Sequence, residues 1–262
     1  MKKRKNPYYS TFLEKGLTIL RLFSKDHPAW SLTEIAQGIR TNKTSAFRFV
    51  NTLVQLGYLK KHPRTKLISL GPQVIALALA FSQTDNLTEI ARPFIDEVSQ
   101  VHDLTVELAL FEQNILVVVY RRDARDASVP RLPLTRGTME RFYCSSLGKV
   151  ILAHLPKNEM TKILRKLTLS VRTPYTISNK RDLLADLQKT RKRGYALTGE
   201  EWMLGLTAIG APIFNLNTNR VLGAVCFDYM ATRSSMEMIE RKYKELLLKL
   251  AKDISQAVTI QN

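Results

Sequence analysis

Apolar residues recur at helical spacing along the first part of this chain, and polar breaks punctuate them. Leu13, Leu17, Leu20 and Phe23 share one helical face, and a break follows at Asp26-His27-Pro28. Ser31-Leu-Thr-Glu34 has the spacing of a capping box, with Thr33 as an alternative cap. It opens a short helix through Ile35, Ala36 and Ile39, and Arg40-Thr41-Asn42 reads as a tight turn. The next helix runs from about Lys43 to Leu56, with Phe47, Val50, Leu53 and Val54 as its inner face and Gly57 as its C-terminal cap. Tyr58-Leu59 begins a strand, His62 to Lys66 is a basic turn, and Leu67-Ile-Ser-Leu70 returns. Helix, helix, turn, helix and hairpin together make a winged helix–turn–helix over residues 11–71.

The pattern then changes. Val74 to Phe81 is an apolar helix within a linker spanning 72–86, which suits either a core or a helix packed on a second subunit. Residues 87–262 mix helices and strands. Thr88 to Val101 is an amphipathic helix, and Thr105–Leu110 and Ile115–Tyr120 form a hairpin around Gln113-Asn114. Helices follow over Ser145–Leu155, Lys157–Leu167 and Lys180–Arg193, the last capped by Ser178 and ended by Gly194. Leu206–Phe214 and Val221–Phe227 are buried strands, and a long helix spans about Ser234 to Val258. Hairpin-joined strands among helices predict an α+β antiparallel sheet, not a parallel nucleotide-binding fold.

Charge narrows the function. The first 84 residues hold 14 Lys+Arg against 3 Asp+Glu, and the remaining 178 hold 26 against 20. Of a formal net charge of +17, a net of +11 therefore lies in the first third of the chain, on the groove-reading motif. Double-stranded DNA is the expected partner. The first turns of the recognition helix offer Lys43, Thr44, Ser45, Phe47 and Arg48, with Asn51 one turn later. Phe47 has two readings, a thymine-methyl contact or core packing beside Val50. Lys60, Lys61, Arg64 and Lys66 of the wing suit phosphate or minor-groove contacts. Residues 1–10 form a basic arm. The chain has no signal peptide pattern and no apolar run of membrane length, so a cytoplasmic location is expected. Cys144 and Cys226 stand alone, which argues against a zinc site or a disulfide framework.

The residues resemble the IclR family of bacterial transcription regulators over most of the chain. The likeness lies in Ser31-Leu-Thr-Glu-Ile-Ala36, Lys43-Thr-Ser45, Arg48, Leu53, Leu56-Gly-Tyr-Leu59 and Leu70-Gly71. It continues in Leu132-Pro-Leu134, Gly137, Ser146-Leu-Gly-Lys149, Leu152-Ala153 and Arg193-Gly-Tyr195. Its most specific stretch runs from Gly194 to Asn215 through Glu201, Ala208-Ile-Gly210 and Ile213-Phe214.

The resemblance implies a GAF/profilin-like C-terminal domain that binds an effector and assembles homodimers or homotetramers on a pseudo-palindromic operator. It places Ser146, Leu147, Thr198, Ala208, Cys226 and Asp228 around a pocket for a small carboxylate-bearing metabolite. The chain departs from the family at Arg40-Thr41, where Gly-Leu is usual before the recognition helix. It departs again at Thr198, usually Asp or Ser, and at Ala208, where some members carry Cys. The last two substitutions imply an effector unlike that of the better-known members.

Physical chemistry alone reads Cys144-Ser-Ser-Leu-Gly-Lys149 as a helix start with free N–H groups, either an ordinary cap or an anion site. The Glu200-Glu201 pair suits a salt bridge or a strand-edge hydrogen bond better than catalysis, and His154 suits packing in its apolar helix. No catalytic constellation, metal set or cofactor loop is visible. The competing reading, an enzyme with an attached DNA-binding domain, would need such a constellation in residues 85–262.

Overall fold

The structure is a computed structural model, and it describes residues 8–24, 27–84, 86–125, 141–232 and 235–261. Most of the basic N-terminal arm, and the family-like Leu132-Pro-Leu134 and Gly137, lie outside the described residues. The chain divides into two compact units, Met1–Thr84 and Asp85–Asn262.

The first unit contains α1 (Thr11–Leu20), β1 (Ala29–Trp30), α2 (Leu32–Gly38), α3 (Lys43–Gln55), β2 (Leu59–Lys61), β3 (Ile68–Leu70) and α4 (Gln73–Thr84). The Ser31/Glu34 capping box forms: Glu34 N–H donates to Ser31 Oγ at 3.3 Å, and Ser31 N–H donates to Glu34 Oε2 at 2.7 Å. Asn42 caps α3, its Oδ1 accepting from Ser45 N–H at 2.8 Å. The three strands form a small antiparallel sheet in the order β1-β3-β2. Ile19, Phe23, Ile35, Ile39, Val50, Leu59 and Ile68 are its core, each aliphatic contributing about 2 kcal/mol by burial.

Three apolar assignments differ from the sequence reading. On α1, Leu13 is 63% and Leu17 49% exposed, while Ile19 is fully buried. This helix is apolar on two sides, and so small a unit can cover only one of them. On α3 the inward positions are Ala46 and Val50, whereas Phe47 is 51% exposed. The buried positions lie four residues apart, as i, i+4 positions on one face do, which turns Phe47 outward. On α4, Ile75, Leu77, Leu79 and Phe81 are all exposed, so the helix is not core of this chain.

The second unit contains α5 (Asn86–His102), β4 (Thr105–Glu112), β5 (Ile115–Arg122), α6 (Arg141–Cys144), α7 (Ser146–His154), α8 (Lys157–Lys166), α9 (Lys180–Arg193), β6 (Ala196–Gly199), β7 (Leu206–Asn215), β8 (Arg220–Met230) and α10 (Met236–Gln261). The strands build an antiparallel sheet in the order β5-β4-β8-β7-β6. Strand β6 was not expected, since four residues give too little alternation to read. Asn179, not Ser178, caps α9, accepting from Asp182 N–H at 2.9 Å.

Period-two alternation sorts the strands between two cores. Val225 and Phe227 of β8 join Ile209, Ala211 and Ile213 of β7 in a core with α5 and α10. Ala224 and Cys226 face the opposite core, shared with α6 to α9. Helix α7 lies directly on the second face. A Cβ at Gly210 would stand 3.1 Å from the Ser146 backbone, so any larger residue would push the start of α7 off β7 by a few tenths of an ångström.

Candidate functional site

The residues expected to contact DNA lie on α3 and the hairpin. Lys43, Thr44, Phe47, Arg48 and Asn51 are exposed, and Ser45 is half-buried by its N–H bond to the cap. Arg40 holds φ at +50°, the left-handed turn that points α3 away from α2. This explains why a glycine is usual there. On the hairpin, Lys60, Lys61, Arg64 and Lys66 are exposed. The turn is shaped by His62, whose Nδ1 accepts from the Arg64 and Thr65 N–H groups at 3.3 and 3.1 Å. Lys66 Nζ donates to Pro63 O at 2.6 Å, so this lysine also braces the turn.

The pocket in the second unit follows from strand register. Glu107 of β4 lies opposite Cys226 of β8, which lies opposite Gly210 of β7. One step along, Thr105 pairs with Asp228, Asp228 with Ala208, and Ala208 with Thr198 of β6. Two rows on one face of the sheet thus collect an acid, a thiol, a second acid and two hydroxyls. Above them is a small cavity of about 20 Å³, room for about one water molecule. Its lining includes Ser146, Leu147, Thr198, Ala208, Cys226 and Asp228, every position carried over from the family. It also includes Glu107, Ser145, Trp202 and Leu206. Glu107 was missed, although a lone acid inside the otherwise apolar run from Val106 to Phe111 was a visible signal.

The start of α7 forms one wall. Ser145 caps it, accepting from Gly148 N–H at 3.1 Å. The N–H groups of Ser146 and Leu147 then have no intrahelical acceptor, as in any first turn. They supply positive potential on that side. On the floor, Arg121 binds Glu107 at 2.8 Å and Asp123 at 2.6 Å, and lies 3.9 Å from Asp228. Burial opposes the Arg121 charge, but Asp123 and Glu107 outweigh it and raise its pKa. Glu107, Cys226 and Asp228 offer three donor atoms within 4.8 Å of one another, and the guanidinium is the cation that balances the two acids. Burial first, then Asp228 and Glu107, push the Cys226 thiol well above its ordinary range. It stays neutral, so it is neither a nucleophile nor a thiolate ligand at neutral pH.

The remaining wall is held from behind. Lys149, 1% exposed, places Nζ 2.6 Å from Glu201 Oε1 and 2.7 Å from Asp186 Oδ2. It thereby ties α7 to α9 and to the loop between β6 and β7. Glu201 is thus ion-paired, as its residue type suggested. Burial, opposed by Lys149, keeps its pKa above the ordinary carboxylate value. From the segment between α8 and α9, Arg172 lies 3.9 Å over the ring of Trp202 in that loop and donates through Nε to Trp202 O at 3.2 Å. Thr173 and Thr176 donate their hydroxyls to the carbonyls of Glu200 and Glu201, both at 2.7 Å. His154 bonds Val150 O at 2.8 Å and packs edge-on against Phe214. No helix among the described residues is long and apolar enough to cross a membrane.

Residues 12–63 match the IclR helix-turn-helix domain, and residues 80–256 match the family described as "Bacterial transcriptional regulator IclR C-terminal". The chain is 27% identical over 253 residues to the Pca regulon regulatory protein of Pseudomonas putida, covering 95% of this chain and 84% of that one. It is similar to the crystal structure of the Thermotoga maritima IclR, with a TM-score of 0.67, 27% identity, and coverage of 94% and 98%. It also shares its fold with an IclR homologue from Microbacterium hydrocarbonoxydans solved in complex with 4-hydroxybenzoate. There the TM-score is 0.75 at 22% identity, with coverage of 95% and 100%. The chain therefore belongs to the IclR family: it is a DNA-binding transcriptional regulator with an effector-binding domain, not an enzyme.

Proposed function

We propose that a small metabolite bearing both a carboxylate and a hydroxyl group binds over the two polar rows and alters operator binding. The observation that carries this reading is the polarity of the cavity, which widens to admit the ligand. The start of α7 brings N–H donors to one side, and Asp228 and Glu107 bring acceptors to the floor. A carboxylate suits the first and a hydroxyl donor the second. The 4-hydroxybenzoate bound to the Microbacterium relative has both groups, and Thr198 and Ala208 adjust the fit to this chain's own ligand.

Lys43, Thr44, Ser45, Phe47, Arg48 and Asn51 read the major groove, with Phe47 free to meet a thymine methyl. Lys60, Lys61, Arg64 and Lys66 hold phosphates. The exposed apolar faces of α1 and α4 pair with a second copy, giving a dimer or tetramer matched to a pseudo-palindromic operator in the cytoplasm. The ligand shifts operator affinity by preferring one arrangement of that assembly.

The test is operator binding measured across a panel of hydroxy-carboxylates, using DNA from the upstream region of the protein's own gene, with thermal shift as a second readout. A hit should raise the melting temperature and change operator affinity, and Ser146→Trp should abolish both effects. A panel without hits, or a Ser146→Trp variant that responds fully, refutes the pocket.

A further inference from the structure

Charge is uneven within the second unit as well. Residues 157–193 hold 11 Lys+Arg against 3 Asp+Glu, a net of +8, whereas the rest of residues 85–262 holds 15 against 17. All the net positive charge of this unit therefore lies on α8, α9 and the segment joining them. These helices belong to one layer. Ile163 and Leu164 of α8, Leu183 and Leu187 of α9, and Leu152 of α7 share one core. Their outer faces are polar.

On α8, Lys162, Arg165 and Lys166 are exposed and fall within about 100° of the helix circumference. On α9, Arg181, Lys189 and Lys192 are exposed and fall within about 80°. Arg181 to Lys192 spans about 16 Å of helix, roughly five base-pair rises of duplex. None of these six cations is ion-paired among the described residues. One acid of α9, Asp186, is turned inward onto Lys149. Three other cations of this segment already have structural tasks. Arg172 covers Trp202, Arg191 bonds the carbonyls of Ala153 and Leu155, and Arg193 bonds that of Tyr195.

We propose that the α8–α9 face is a second DNA-contacting surface, which neutralises phosphates outside the sequence read by the recognition helix. This rests on operator binding by the first unit, which tethers the duplex to the same chain and raises its effective concentration at the second unit. An acidic protein surface is the competing partner. Protein interfaces centre on buried aromatic or aliphatic anchors. The large apolar side chain exposed on these two helices is Leu184 alone, at 38%. The other exposed apolar side chains of the segment, Val171 and Tyr175, lie in the connection between the helices, and dispersed, unpaired cations on two helix faces with so little apolar surface fit the phosphate backbone better.

The test compares wild type with Arg181→Glu/Lys189→Glu/Lys192→Glu in the full chain. Each binds a short operator duplex and the same operator carrying random flanks, across a salt series. The three sites are exposed, so an unchanged melting temperature confirms folding, and short-duplex binding reads the first unit independently. Wild type should gain affinity from the flanks. Three phosphate contacts should make that gain fall about 40-fold between 50 and 200 mM salt. The variant should keep short-duplex affinity and lose the flank gain. Equal affinities of wild type for both duplexes overturn the proposal. So does a variant that retains the flank gain, or one that binds both duplexes like wild type yet fails to regulate transcription, which would mark a protein partner.

Discussion

Replacing Lys149 by Met tests how the pocket wall is held. The substitution keeps most of the side-chain volume but removes a charge that lies 2.6 Å from Glu201 and 2.7 Å from Asp186. Glu201 is 7% exposed, so its carboxylate would lose its cation without gaining water. Breaking a buried ion pair from one side costs about 3–5 kcal/mol. For a unit spanning residues 85–262, at about 2–4 °C per kcal/mol, the melting temperature should fall by about 6–20 °C.

The loss should also depend on pH. Burial already holds Glu201 above the ordinary carboxylate range, and Lys149 is the main influence opposing it. Without Lys149, burial and the Asp186 charge both act upward. A carboxylate whose pKa is raised on folding binds more protons in the folded state, so its contribution to stability is present at low pH and lost as pH rises through the folded pKa. The deficit of the variant relative to wild type should therefore be largest near pH 8 and shrink toward about pH 5. Adding Glu201→Gln removes the stranded charge and should recover more than half of the loss at pH 8, a coupling read from the double-mutant cycle. Calorimetry of the four proteins at two pH values decides the matter. A loss below about 1 kcal/mol, a deficit that ignores pH, or a double variant no better than the single would show that the triad does not hold the wall.

Other outcomes can be checked separately. Arg48→Ala should cost about 1–3 kcal/mol on the operator and little on random DNA. Lys61→Ala should weaken both alike and flatten the salt slope by about 0.9 per protomer; competition binding that shows equal losses for both variants would reject these roles. Arg40→Gly should stabilise the first unit by about 1 kcal/mol, because Arg40 sits at a positive φ, and a melting temperature that falls would refute the strain argument. Asp228→Asn should weaken a hydroxyl-bearing ligand by about tenfold or more with operator affinity intact, as titration calorimetry would report. Leu77→Lys, at an exposed apolar position of α4, should lower the assembled mass in analytical ultracentrifugation if that face joins two copies.

The sequence is most legible where a local rule decides the structure. The capping box at Ser31 and the Gly57 cap, with φ of +76°, form because their partners lie three or four residues away, and those distances are written in the chain. The positions that misled are those with two valid periodicities. Leu13 and Leu17 share the helical spacing of a buried stripe, yet Ile19 occupies the core, and spacing alone does not say which stripe a small unit will cover. Phe47 is ambiguous for the same reason, and its 51% exposure moves it from core to surface.

The pocket illustrates a second kind of limit. Its residues come from β4, β6, β7, β8, α7 and the β6–β7 loop, and no local rule brings them together. What does so is pairing register, in which Thr198, Ala208 and Asp228 lie side by side across three strands. A shift of one residue in any strand would turn its members to the opposite face. That register is locked by packing: Gly210 beneath Ser146, and the alternation of Cys226 and Phe227 between the two cores. The family resemblance pointed to six positions that line the cavity. It did not supply Glu107 and Arg121, the ion pair that sets the charge of the cavity floor. An effector chosen by analogy with relatives is therefore tested most directly at Asp228 and Glu107, where a second carboxylate on the ligand would be repelled and a hydroxyl would find an acceptor.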